Sequence, residues 1–163
     1  MPRALLLALL LLSPAIASAK RVVMLGIGGA GGADASSQIT RGIAGRFELV
    51  SRGRAAQEAS RRGSNLGSPS GRSLAARALG VAALIGGSMS RVGGQWVIRV
   101  VVHSGASGQP VGTMAFPMRG MRLDPFTARR VTTWLGAAVA RARVGPPLAG
   151  AAPVARTPRP RQP

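Results

Sequence analysis

Residues 79–121 constrain the fold of this chain more than any other stretch. Gly93-Gly94 and Ser104-Gly105-Ala106-Ser107-Gly108 punctuate a largely apolar sequence, and between them Trp96, Ile98, Val100 and Val102 alternate with Gln95, Val97, Arg99 and His103. A period of two belongs to a strand with unlike faces, and short glycine-bearing breaks join neighbouring strands antiparallel. The prediction is a three-stranded antiparallel meander. Its third strand, 111–118, turns Met114, Phe116 and Met118 toward the same core as Trp96 and Ile98, and Pro117 places that strand at an edge of the sheet.

Residues 1–19 are set apart from the fold. Arg3 gives a positive start, Ala4 to Leu12 is a leucine-rich run, Ser13-Pro14 breaks it, and Ala17-Ser18-Ala19 has the small-residue pattern of a cleavage site. The run falls short of the roughly 20 residues that span a membrane. The expectation is an export signal cleaved at Ala17 and Ala19, a mature chain beginning at Lys20 with no transmembrane segment, and a periplasmic or extracellular location. With no cysteine, such a chain can be neither a disulfide scaffold nor a cysteine-acylated lipoprotein. It must hold together by an apolar core alone.

The rest of the chain reads in order around the meander. Residues 20–27 form a short, nearly continuous apolar run, the mark of a strand buried on both faces. A glycine-rich loop, 28–33, leads to Asp34, expected to cap a helix on which Ala35, Ile39 and Ile43 share a face. Residues 47–51 read as a second strand and 55–62 as helix-favouring, while 63–71 holds too many breakers to continue it. Ser73 is expected to cap a short helix over 74–79, with Gly80 just past its end. Leu123-Asp124-Pro125 starts the last helix with an acidic cap and a proline at the first position. That helix runs to about Arg143, with Val131, Trp134, Leu135, Ala138 and Ala142 on one stripe and both tryptophans expected in the core. Residues 144–163 hold half of the chain's 12 prolines, interspersed with arginine, and read as a disordered tail. The organisation is therefore a signal over 1–19, one domain over 20–143 and a tail over 144–163. The fold class is a two-layer α/β (α+β) sandwich: a mixed sheet of about five strands ending in the meander, with helices on one face.

At Ala78-Leu79-Gly80-Val81, the strand to Gly86-Gly87-Ser88-Met89, then Gly94-Gln95-Trp96-Val97-Ile98-Arg99-Val100 and Ser107-Gly108, the sequence resembles the TolB amino-terminal-like family of envelope domains. The resemblance extends more loosely to Arg21 and 47–51. It implies a non-catalytic periplasmic domain that meets another envelope protein.

Charge admits a second class of partner. The net charge is +18, from 22 Lys and Arg against 4 Asp and Glu, which invites an anionic envelope polymer. Yet 21 of the 22 are arginine in a chain rich in Ala, Gly and Pro, a bias that a GC-rich coding sequence produces without a ligand. Three Phe, two Trp and no Tyr leave few stacking aromatics, so the case for nucleic acid is weak. Arg52, Arg54, Arg61 and Arg62 cluster around the second strand's exit and form a candidate anion site, against the plainer reading of a solvated face.

Gly26-Ile27-Gly28-Gly29-Ala30-Gly31 matches the dinucleotide fingerprint and lies between a strand and a helix, as that fingerprint requires. The alternative function is accordingly a phosphate- or dinucleotide-binding domain using Gly26, Gly28 and Gly31, with Arg52 placed for a 2′-phosphate. Against it, 23 glycines make chance matches common, and an antiparallel meander stands where a doubly wound fold adds parallel strands. Other chemistry fails by inventory. His103 and Lys20 are the only histidine and lysine, the four acids are scattered, and no metal-ligand set or phosphate-loop lysine is present. The chain reads as a non-enzymatic exported interaction domain with no cofactor, no metal and no catalytic residues.

Overall fold

A computed structural model describes residues 19–148 of the 163. The expected signal up to Ser18 and the tail beyond Leu148 lie outside the described residues. Five strands form one mixed sheet in the order β2-β1-β3-β4-β5. They are β1 (Arg21–Gly28), β2 (Glu48–Val50), β3 (Ala83–Val92), β4 (Gln95–Ser104) and β5 (Pro110–Met118). Four helices accompany them: α1 (Gly32–Ile43), α2 (Arg52–Arg61), α3 (Pro69–Leu79) and α4 (Pro125–Arg141).

The fold class is the expected mixed sheet with a terminal meander. β1 pairs parallel with β2 and β3, and β3, β4 and β5 follow antiparallel. Gly93 and Gly94, both at positive φ (56° and 83°), make the two-residue turn between β3 and β4, a geometry that matches the twist of the strands it joins. β5 lies at the edge, as Pro117 requires.

The layering differs from a one-faced sandwich. α1 and α4 cover one face, where Ile39, Ile43, Val131 and Leu135 pack on Val22, Ile85, Ile98 and Val100. α2 and α3 cover the other, where Ala55, Ala59, Ala75 and Leu79 pack on Val23, Val50 and Leu84. The cause is topological. β2 lies on one side of β1 and β3 on the other, so the two crossovers run in opposite directions, and right-handed crossovers of opposite direction put their helices on opposite faces. Val22 and Val23 are each fully buried, one in each cluster, as a doubly covered strand demands.

Helix starts show where short-range signals act. Ser68, not Ser73, caps α3: its Oγ accepts from the Gly71 N–H at 3.0 Å, and Pro69 takes the first position. Ser73 instead donates to the Ala106 carbonyl at 2.7 Å. α2 starts at Arg52 under a Ser51 cap, earlier than 55. α1 is capped by Gly31 rather than Asp34, which sits in its first turn. Asp124 behaves as expected. Its carboxylate accepts from the Phe126 and Thr127 N–H groups and the Thr127 hydroxyl, and these hydrogen bonds, Thr127's foremost, hold its pKa below the usual carboxylate value.

The tryptophans are a correction. Trp96 and Trp134 are half-buried at the margin of the larger core, not enclosed by it, and Trp134 lines an open groove between β5 and α4. The chain beyond the last helix is a second one. Gly145 is packed against Arg77 and Ala106, Arg77 Nε donates to the Pro146 carbonyl at 2.8 Å, and the Ala106 N–H donates to the Arg143 carbonyl. The packed chain therefore continues past Arg143.

Candidate interaction surfaces

The glycine loop stands at a topological switch point, between β2 and β3 at the carboxyl end of β1, where open α/β sheets place ligands. Its own chain fills much of the space. A Cβ on Gly29 (φ +91°) would run into the Met89 carbonyl, and one on Gly31 (φ +75°) would meet Met121. Gly28 is exposed, and a Cβ there would meet only the Gly87 carbonyl, at 3.8 Å. Gly26 lies under the Arg52 guanidinium, with Nη1 at 3.6 Å from its would-be Cβ. Asp34 in the first turn of α1 sets a negative charge beside the N–H groups that a phosphate would need.

The four arginines are not brought together. Arg52 and Arg54 sit in the first turn of α2, and Arg61 and Arg62 lie at its far end, about 13 Å along the axis. Arg61 and Arg62 are both engaged by Glu58, at 2.8 and 3.5 Å. An anionic polymer therefore finds no continuous basic track along this helix.

His103 lies half-buried on the face of β4 turned away from α4, and its Nδ1 has no hydrogen-bond partner among the described residues. Burial lowers its pKa, the nearby Arg72 charge lowers it further, and a hydrogen bond to the Gly108 backbone opposes both. No nucleophile or carboxylate pairs with it. Among the described residues no group of three or more His, Cys, Asp or Glu gathers to hold a metal ion, and no helix is long and apolar enough to cross a membrane.

A groove between β5 and α4 is lined by residues that sequence patterns divide between core and solvent. Met114 and Phe116 of β5 face Phe126, Arg129, Arg130, Thr133 and Trp134 of α4 across a groove of about 570 Å³. Phe126 is 64% exposed and Met114 42%, although both are large apolar side chains. Phe116 and Trp134 meet edge to face at 6.0 Å and form the floor. Gly112 lets the helix come this close, since a Cβ there would press on Trp134 and Ala138 at 3.3 and 3.4 Å. The signal available in sequence is Phe126 itself, an aromatic in the first helical turn off the buried stripe.

No family model matches the chain, and no curated protein matches it. Among solved structures it is similar to the LpoB C-terminal domain from Salmonella enterica. That match has 16% identity and a TM-score of 0.52, covering 71% of this chain and 93% of that one. The LpoB C-terminal domain from Escherichia coli matches at 15% identity with a TM-score of 0.49, over 71% and 93%. The NMR structure of E. coli LpoB matches at 18% with a TM-score of 0.42, over 60% and 55%. The Salmonella domain shares the fold.

The Salmonella neighbour overturns the resemblance to TolB amino-terminal-like domains. The residues that carried it serve needs common to any helix, strand and hairpin in series: Gly80 ends α3 at φ +62°, and Gly94 turns the hairpin. They report local geometry.

Proposed function

We propose that this chain is a non-enzymatic, exported interaction domain whose partner is another protein of the cell envelope. The observation that carries the reading is the β5–α4 groove, a contiguous apolar surface at a sheet edge with Phe126 and Met114 left exposed. The leader-like residues 1–19 support export, and the absence of a catalytic constellation among the described side chains supports binding over chemistry. Cross-linking in intact host cells, followed by fractionation, tests the reading. A discrete adduct in the exported fraction is expected. A chain that stays in the cytosol with Met1 at its start, or that yields no adduct, would overturn it.

A second reading is a phosphate or dinucleotide site on the glycine loop, favoured by the switch point and by Arg52 over Gly26. Gly28→Val separates the two. It abolishes nucleotide binding under the second reading by blocking close backbone approach, and under the first it leaves partner binding intact.

A further inference from the structure

We propose that the β5–α4 groove binds an extended, acidic segment of the partner protein. The segment adds as a strand to the free edge of β5 and seats one large apolar side chain between Met114 and Phe126. This rests on the interaction reading above and names its surface and chemistry.

The edge comes first. β5 pairs with β4 without a break from Gly112 to Met118, and no strand among the described residues flanks its other side. A proline inside a ladder sits where its missing N–H would point away from the neighbouring strand. Pro117 therefore turns its main chain outward. Residues two apart in an unbroken strand face the same way, so Thr113 and Ala115 also present their N–H and C=O groups outward. Those groups are what an added strand pairs with, and Pro117 ends the track.

Charge selects the occupant. Arg130 lies 5.7 Å over the Phe116 ring and 5.8 Å over Phe126, and Arg129 stands beside it on the rim. Among the described residues neither arginine makes an ion pair, and no carboxylate lines the groove. The chain's four acids are placed elsewhere: Glu48 pairs with Arg21, Glu58 with Arg61 and Arg62, Asp124 caps α4, and Asp34 lies on α1. A second copy would bring a net charge of +18 against these arginines. Residues 149–163 carry three arginines, four prolines and no acid, so they are repelled and poorly able to pair as a strand. An anionic amphiphile would satisfy the floor and the arginines but leave Thr113 and Ala115 unused. Only an acidic peptide answers all three features.

The test uses the whole chain and a fluorescein-labelled, acetylated nonapeptide that alternates glutamate with phenylalanine and valine. Its control has lysine in place of glutamate. Saturable one-to-one binding is expected for the acidic peptide, with the lysine peptide weaker by on the order of tenfold or more. Arg129→Glu with Arg130→Glu should weaken binding similarly, and amide shifts should map to Thr113–Phe116. Thr113→Pro should block strand addition while keeping the native circular dichroism, because the N–H it removes points away from β4. Should that variant misfold, Phe126→Ala, at an exposed position, carries the same comparison. Equal binding of both peptides, shifts confined to other strands, or phosphatidylglycerol vesicles that occupy the groove while the peptide does not, would each overturn the proposal. A photo-crosslinker at Thr133 and another at Arg99 on the opposite sheet face separate the two levels of failure. A partner captured in cells only from Arg99 leaves the interaction reading standing and removes the groove, and capture from neither removes both.

Discussion

Single residues in this chain are governed by backbone clearance and by one titratable ring. Gly29 has φ +91° and faces the Met89 carbonyl, so Gly29→Ala combines an unfavourable φ with overpacking. It is expected to cost about 2–4 kcal/mol in urea unfolding. Gly45 has open space around it and no positive φ. Gly45→Ala should lie within about 0.5 kcal/mol of neutral, or gain up to about 1 kcal/mol by restricting the unfolded chain. The contrast explains why the loop was legible as a loop but not in its purpose. Glycine spacing reads as a pyrophosphate cradle, whereas the group needing the room comes from Met89, about sixty residues away in sequence, and no local pattern records it. His103 supplies a pH prediction. Its folded pKa is lowered, by burial first and then by Arg72. Below about pH 6.5 the unfolded chain therefore binds the extra proton more readily, and stability rises with pH through that window. It should be full above the unfolded pKa and decline as pH falls below it. His103 is the only histidine, so the urea midpoint should drop from about pH 7.5 to about pH 5 in the native chain and stay flatter in His103→Gln.

At the scale of elements, α4 shows how a helix divides between holding the fold and presenting a surface. Leu135 is fully buried and Trp134 only half-buried, though they are neighbours on the chain. Leu135→Ala is expected to cost about 2–5 kcal/mol, as a cavity in a closed core does. Trp134→Ala should cost less than the ~3–5 kcal/mol of an enclosed aromatic, since part of the ring already meets water. Tryptophan emission in a Trp96→Phe background checks this: Trp134 should be partly accessible to acrylamide, and a fully protected, blue-shifted indole would contradict the groove. The start of α4 was legible because Asp124-Pro125 is a cap and a first-position proline in sequence. Ser68-Pro69 has the same grammar at α3 and was masked by Gly71, which looks like a helix breaker. In the folded chain Gly71 is required inside the first turn because a Cβ there would collide with the Asn65 carbonyl. The open groove was not legible. The apolar stripe identifies what α4 can bury, but not that Met114 and Phe126 stay exposed beside it.

At the scale of the whole molecule, the start of β1 is fastened to the end of α4. Lys20 extends its ammonium to three carbonyls at the end of α4, those of Val139, Ala140 and Ala142, at 3.1, 2.8 and 3.1 Å. Helix C-termini leave such carbonyls unpaired, and a cation there also meets the negative end of the helix dipole. A residue that reads as the first of a mature chain is thus also the cap of its last helix. β1 begins at the next residue, so the clasp ties a central strand to α4. The residues beyond α4 add a second fastening, since Pro146 accepts from Arg77 and Gly145 is packed against α3 and the β4–β5 turn. Sequence reading places the end of the domain at Arg143, because proline and arginine dominate the residues after it and an acceptor carbonyl has no sequence signature. Three chains decide where the domain ends. One ending at Leu148 should unfold like the full chain, since residues 149–163 offer no apolar face. One ending at Arg143 loses the Pro146 acceptor and the Gly145 packing. With a hydrogen bond worth about 1 kcal/mol, its Tm should fall by about 2–6 °C. Adding Lys20→Ala to the Arg143 chain removes both fastenings of α4. Its amides at 135–141 should then exchange hydrogen faster than those of β3 and β4, whereas uniform protection across the sheet and α4 would show that side-chain packing alone holds the helix end.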